Sequence, residues 1–181
     1  IPKGRGSRAD RLVPDPVIGR QRVVRLYLAL ATACGFGYLI TGLGARSSLI
    51  HALTTVSTGG FSDRADSLVS APGGTKVVAT VFMLIGGVSF FALFWLLRGN
   101  HRRFLKSPEL RIYLGIIGLV TLSLLREVDG LSVGDALFTA ASASSTTGIA
   151  VTEWTGFPSG ALAPLLVAVA TGAMGASAGS G

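Results

Sequence analysis

Two short stretches carry the residue types that could do chemistry: Ser57-Thr58-Gly59-Gly60-Phe61 and Ser145-Thr146-Thr147-Gly148-Ile149. Neither pairs a nucleophile with a base, and neither holds an acid. What they offer is oxygen. Backbone carbonyls and Ser/Thr hydroxyls can replace the hydration shell of a cation without placing a formal charge at membrane depth. Glycine takes φ > 0 at no steric cost, which lets consecutive carbonyls turn to one side. The candidate path residues are therefore Ser57, Thr58, Gly59 and Gly60, then Ser145, Thr146, Thr147 and Gly148. Covalent chemistry has little to draw on elsewhere. One cysteine, Cys34, lies in an apolar run, and two histidines, His51 and His101, stand far apart, so there is no disulfide, metal set or catalytic triad to build and no enzyme is expected.

Each stretch closes a segment with the character of a half-helix. Ser47 to Phe61 and Ser132 to Val151 are apolar and rich in small residues, too short to cross a bilayer and too apolar for a water-facing loop. They predict re-entrant elements, in which a half-helix enters and an irregular strand returns. Irregular backbone is tolerated at membrane depth only when buried in protein or lining a water-filled cavity. The carbonyl end of each half-helix, carrying roughly half an elementary negative charge, favours a cation at the turn.

Full spans must hold these segments in place. Of the 181 residues, 49% are hydrophobic and 14% charged, with a mean hydropathy of +0.60, a membrane composition rather than that of a soluble domain. Leu26 to Ala45 is free of charge for 20 residues and Val77 to Leu97 for 21, each matching a hydrocarbon core of roughly 30 Å. Ile112 to Leu125 is shorter, but Arg111 and Arg126 can extend to the two interfaces. A fourth apolar segment starts near Ser159 and still runs at Gly181, and both ends of the chain read as cuts in a longer polypeptide. Trp95 and Trp154 read as interface anchors.

The net charge of +7 does not point to nucleic acid, because the basic residues flank the apolar runs. Lys3, Arg5, Arg8, Arg11, Arg20, Arg22 and Arg25 precede the first run; Arg98, Arg102, Arg103, Lys106 and Arg111 sit between the second and third. Lys and Arg resist translocation, so residues 1–22 and 98–111 are expected to be cytoplasmic. On the outer side, Asp63, Asp66, Asp135 and Glu153 are candidates for concentrating cations, with Arg46 placed to oppose them.

The chain repeats itself at an offset of 88: Gly42-Leu43 falls on Gly130-Leu131, Ala52 on Ala140, Ser57-Thr58 on Ser145-Thr146, Gly60 on Gly148 and Gly87 on Gly175. Each unit reads span, half-helix, Ser/Thr/Gly turn, span, in one orientation, a parallel repeat. The expected organisation is a cytoplasmic basic segment at 1–22, a first unit at 23–100, a cytoplasmic basic loop at 101–110, and a second unit at 111–181 truncated in its last helix. The fold class is an all-α polytopic membrane protein.

Four stretches, HALTTVSTGGFS (His51 to Ser62), MLIGGVSF (Met83 to Phe90), FTAASASSTTGIA (Phe138 to Ala150) and GAMGASAGSG (Gly172 to Gly181), in this order resemble the TrkH/Ktr/HKT superfamily of potassium transporters. The resemblance covers nearly the whole chain from about Arg20 and matches the second and third of that family's four repeats. It implies a potassium-channel-like fold, potassium as the transported ion with no covalent cofactor, and Gly60 and Gly148 as the filter glycines. It also implies an intramembrane gate at Gly175-Ala176-Ser177-Ala178-Gly179-Ser180, a multi-pass location in the inner (plasma) membrane among lipid, a homodimer, and a cytoplasmic nucleotide-binding regulatory subunit. Two positions depart from the family pattern: Ile149 stands where an aromatic often follows the filter glycine, and Ala176 replaces a glycine of the gate. The residues alone also admit a sodium transporter, a two-repeat subunit that dimerises, or a membrane scaffold packed through small residues.

Overall fold

The computed structural model describes residues 16–88, 108–152 and 157–177. Six helices and no strands are present among them: α1 (Pro16–Ile40), α2 (Ala45–Val56), α3 (Gly73–Gly86), α4 (Pro108–Glu127), α5 (Val133–Ser144) and α6 (Ser159–Ser177). The all-α class is as the sequence implies. His101, Trp95, Trp154, Glu153 and most of the two basic cytoplasmic segments lie outside the described residues.

The order long helix, short helix, helix occurs twice. The short members α2 and α5 are each 12 residues and start and stop 88 positions apart. At about 1.5 Å per residue, neither could cross a core of roughly 30 Å. Both begin abruptly. Gly42, in the turn after α1, and Gly130, in the turn after α4, take φ of 91° and 77°, which glycine permits freely. Ser132 then caps α5: its hydroxyl accepts from the Asp135 N–H at 3.0 Å and donates to the Asp135 carboxylate at 2.8 Å. Asp135 also places a negative charge against the positive end of the helix.

Three expected spans are redrawn. The charge-free run Leu26 to Ala45 is not one helix, because α1 ends at Ile40 and Thr41 to Gly44 turn the chain into α2. The run Val77 to Leu97 is helical only to Gly86 among the described residues; residues 89–97 lie outside them. The short third span is longer than its apolar run, as α4 takes in both Arg111 and Arg126 over 20 residues. The expected boundary at residue 22 falls inside α1. Among the described residues no helix is long and apolar enough to cross a membrane.

Within each unit the first helix packs on the short one and the short one on the third, and α3 also packs against α5, which joins the units. One apolar cluster draws Cys34, Tyr38, Ala52 and Met83 from the first unit together with Phe138, Ile149 and Val151 from the second. A second cluster, around Ile117, Val120, Leu124, Ala140 and Leu165, belongs to the second unit. Polarity is distributed inside out. Ser48, His51, Thr55, Thr139, Ser142 and Thr147 are buried, while Phe36, Ile40, Leu49, Ile112, Leu119 and Leu166 are exposed. An apolar exterior around a hydroxyl-rich interior suits a lipid solvent.

A buried pair of hydroxyls joins the first two helices. Tyr38 Oη and Thr55 Oγ1 lie 2.8 Å apart, tying α1 to α2. Tyr38→Phe should lower the stability of the purified protein by about 1–2 kcal/mol, because Thr55 loses its buried partner. A denaturation midpoint in detergent measures this, and an unchanged midpoint would mean that the pair contributes nothing.

Candidate functional site

The two Ser/Thr/Gly turns close the carbonyl ends of α2 and α5 in the same way. Ser57 N–H donates to Leu53 O, Thr58 to Thr55 O and Gly59 to Thr54 O; Ser145, Thr146 and Thr147 repeat this on Ala141, Ala143 and Ser142. The backbone conformations repeat too. Thr58 and Gly60 have φ of 52° and 69°, and Thr146 and Gly148 have 57° and 76°. Left-handed backbone is foreign to a β-branched residue and costs of the order of 1–3 kcal/mol. Its occurrence at two threonines 88 positions apart marks a shape that both units hold against that cost.

The shape frees carbonyls. In an extended strand successive carbonyls face opposite sides; an alternating sign of φ, as over Thr58-Gly59-Gly60 and Thr146-Thr147-Gly148, is the backbone pattern that can turn them to one side. Among the described residues the carbonyls of these six residues accept no hydrogen bond. Backbone oxygens left in this way need water or another ligand. The turns also meet. A Cβ built on Gly60 would lie 1.9 Å from Thr147 O, so the first turn's glycine abuts the second turn's carbonyl. At Gly148 a Cβ would meet nothing within 4 Å.

Hydroxyls brace the second turn. Ser145 Oγ and Thr147 Oγ1 are 2.7 Å apart, and Ser142 donates to the Ile149 carbonyl at 2.8 Å. Ile149 is fully buried in the shared cluster, whereas Phe61, its counterpart in the first unit, is 75% exposed. The aliphatic side chain thus packs fully behind its turn. Glycines from the following helices approach the half-helix ends: a Cβ on Gly86 would lie 3.5 Å from Val56 O, and one on Gly172 only 2.1 Å from Ser144 O. Repeat matching passes over Gly172, which the sequence marks only as the first residue of the stretch Gly172 to Gly181. Of the expected gate, Gly175, Ala176 and Ser177 form the end of α6; Ala178, Gly179 and Ser180 lie outside the described residues.

The three candidate outer acids among the described residues, Asp63, Asp66 and Asp135, are each engaged. Asp63 accepts from Ser47 at 2.6 Å and lies 3.5 Å from His51 Nε2. Asp66 pairs with Arg64 at 3.2 Å, and Asp135 with Lys76 of the other unit at 3.2 Å. These partners offset the focusing that the carboxylates would otherwise provide. The Ser70 hydroxyl and then Arg64 hold the Asp66 carboxyl down to about 2. A lowered carboxyl contributes stability above its ordinary range and loses it as pH falls through the folded value. The difference in denaturation midpoint between the parent and Asp66→Asn should therefore be constant from pH 7 to about 5 and shrink progressively between about pH 4 and about 2; a difference that does not change with pH would show that the carboxylate contributes nothing.

No family model matches the chain. It is 24% identical over 153 residues to the Trk system potassium uptake protein TrkI of Halomonas elongata, covering 83% of this chain and 31% of that one. To the Trk system potassium uptake protein TrkH of Vibrio parahaemolyticus it is 28% identical over 145 residues, 74% of this chain and 30% of that one. The crystal structure of the potassium transporter TrkH from Vibrio parahaemolyticus superimposes with a TM-score of 0.74 at 25% identity over 87% of this chain. The chain is TrkH-like. It spans about a third of the length of these proteins, and the TrkH-like part includes both turns.

Proposed function

We propose that this chain contributes two of the sectors around a potassium-conducting path in a membrane, with the turns at Ser57–Gly60 and Ser145–Gly148 replacing the water around the ion. The observation that carries the reading is the pair of left-handed turns, 88 positions apart, whose carbonyls accept no hydrogen bond among the described residues and which touch at Gly60 and Thr147. Carbonyls select by replacing hydration, and no bond is made or broken. Entry of a cation would be favoured by about 2.3 kcal/mol per 100 mV of inside-negative potential.

The relatives named as potassium uptake proteins and the inside-out polarity support a membrane location. In this reading the units are 23–100 and 111–181, residues 1–22 and 98–111 face the cytoplasm, and Gly175 to Ser180 form a gate below the turns. The remaining sectors come from the rest of a longer polypeptide, which works as a homodimer in the inner membrane with a cytoplasmic nucleotide-binding regulatory subunit. The test is expression of the complete protein in bacteria lacking potassium uptake. Growth at low potassium, and rubidium uptake resistant to excess sodium, are expected. Uptake that follows sodium instead, or no cation uptake at normal membrane abundance, would overturn the assignment.

A further inference from the structure

The segment that leaves the second turn is held by the first unit. Leu68 N–H donates to the Ala150 carbonyl at 3.1 Å, and Ala150 N–H donates to the Ser67 hydroxyl at 3.2 Å. Two consecutive residues of the loop 61–72 thus take both backbone groups of Ala150, two positions after Gly148. One position earlier, the Ile149 carbonyl is taken by Ser142. The Leu68 side chain is fully buried in the same cluster as Phe138, Ile149 and Val151. Ser67 reaches Ala150 from a left-handed conformation, φ 54°, which a residue with a Cβ keeps only where its surroundings over-determine it.

We infer that Ser67 is a positioning residue: its hydroxyl, with the Leu68 N–H, clamps Ala150 and so sets the direction in which Thr146, Thr147 and Gly148 present their carbonyls. The inference rests on the proposed role of those carbonyls as ion ligands. A carbonyl ring discriminates between ions by the number and field of its oxygens, so a loosened clamp degrades selection before it stops passage. The coupling runs between units, because the outer loop of one sector tunes the turn of the next.

Three variants of the complete protein separate the hydroxyl from the backbone strain. Ser67→Ala removes the acceptor and keeps the strain, and Ser67→Gly removes both. Ser67→Asn tolerates the left-handed backbone and supplies a carbonyl that can accept. Hydrogen exchange of the purified protein reads the clamp directly: the amide of Ala150 should exchange about fivefold faster in the alanine and glycine variants, with residues 57–61 unchanged and asparagine close to the parent. In cells, the alanine and glycine variants should keep rubidium uptake but let sodium compete several-fold better, with asparagine restoring selection. Parental exchange at Ala150 and parental selectivity in Ser67→Gly would overturn the inference. Full restoration by glycine of what alanine lost would also do so, by showing that only the backbone conformation counts. If Ser67→Ala fails to accumulate, the glycine variant, free of strain, decides. If the parent carries no rubidium, the transport reading fails while the exchange data still judge the clamp.

Discussion

Gly60→Ala in the complete protein should remove potassium-selective uptake. Gly60 and Gly148 are both left-handed, φ 69° and 76°, where a Cβ costs about 1–2 kcal/mol. That cost alone predicts a loss of at least about 5- to 30-fold at either position. At Gly60 the methyl would lie 1.9 Å from Thr147 O and 3.1 Å from the carbon of that carbonyl. Backbone cannot rotate away as a flexible side chain can, so overpacking adds about 1–3 kcal/mol, and the strain falls on a proposed ion ligand. The combined effect is on the order of a hundredfold or more. Rubidium uptake at matched membrane abundance, with and without competing sodium, measures it. Parental uptake and selectivity in Gly60→Ala would show that the turns do not meet as described.

Gly172→Ala should destabilise the protein by about 1–3 kcal/mol and lower uptake with it. Its methyl would sit 2.1 Å from Ser144 O, 3.0 Å from the carbonyl carbon and 3.2 Å from the Thr146 methyl. Accommodating it moves α6 away from the end of α5 and disturbs a turn residue directly. Gly118→Ala provides the comparison. Gly118 lies in α4 with nothing within 4 Å of a Cβ, and alanine is the better helix former, so this change should be neutral or stabilising by up to about 1 kcal/mol. Denaturation midpoints in detergent separate the two, and similar midpoints for both would contradict the close packing at Gly172.

The half-helices and their turns were legible in the sequence because their composition is unusual in two ways at once. They are too apolar for loops and too short for spans, and the offset of 88 that aligns Gly60 with Gly148 also aligns α2 with α5 and the left-handed turns with each other. The span ends were not legible, for a physical reason. Thr41 to Gly44 carry no charge, so hydropathy runs through the turn that ends α1, and only the φ of Gly42 marks it. The same holds at Gly86-Gly87, where the tight approach of Tyr113 and Ser145 to Gly87, not polarity, accompanies the end of α3.

Contacts between distant residues were likewise hidden. Nothing near Ser67 indicates that it reaches Ala150, and nothing near Asp135 names Lys76 as its partner. In the sequence Thr58 and Thr146 read as sources of carbonyl or hydroxyl oxygen, and nothing there shows that their backbone is left-handed. Ile149 stands where the family pattern often has an aromatic, and the first unit's loop packs Leu68 into the cluster that buries it.

The central claim, that both turns present their carbonyls to one ion, is tested most directly by anomalous diffraction from crystals of the complete protein grown with rubidium in place of potassium. The account predicts an ion within coordinating distance of carbonyls from both Thr58–Gly60 and Thr146–Gly148, on a single axis. Rubidium bound elsewhere, with these carbonyls turned into protein hydrogen bonds, would contradict it.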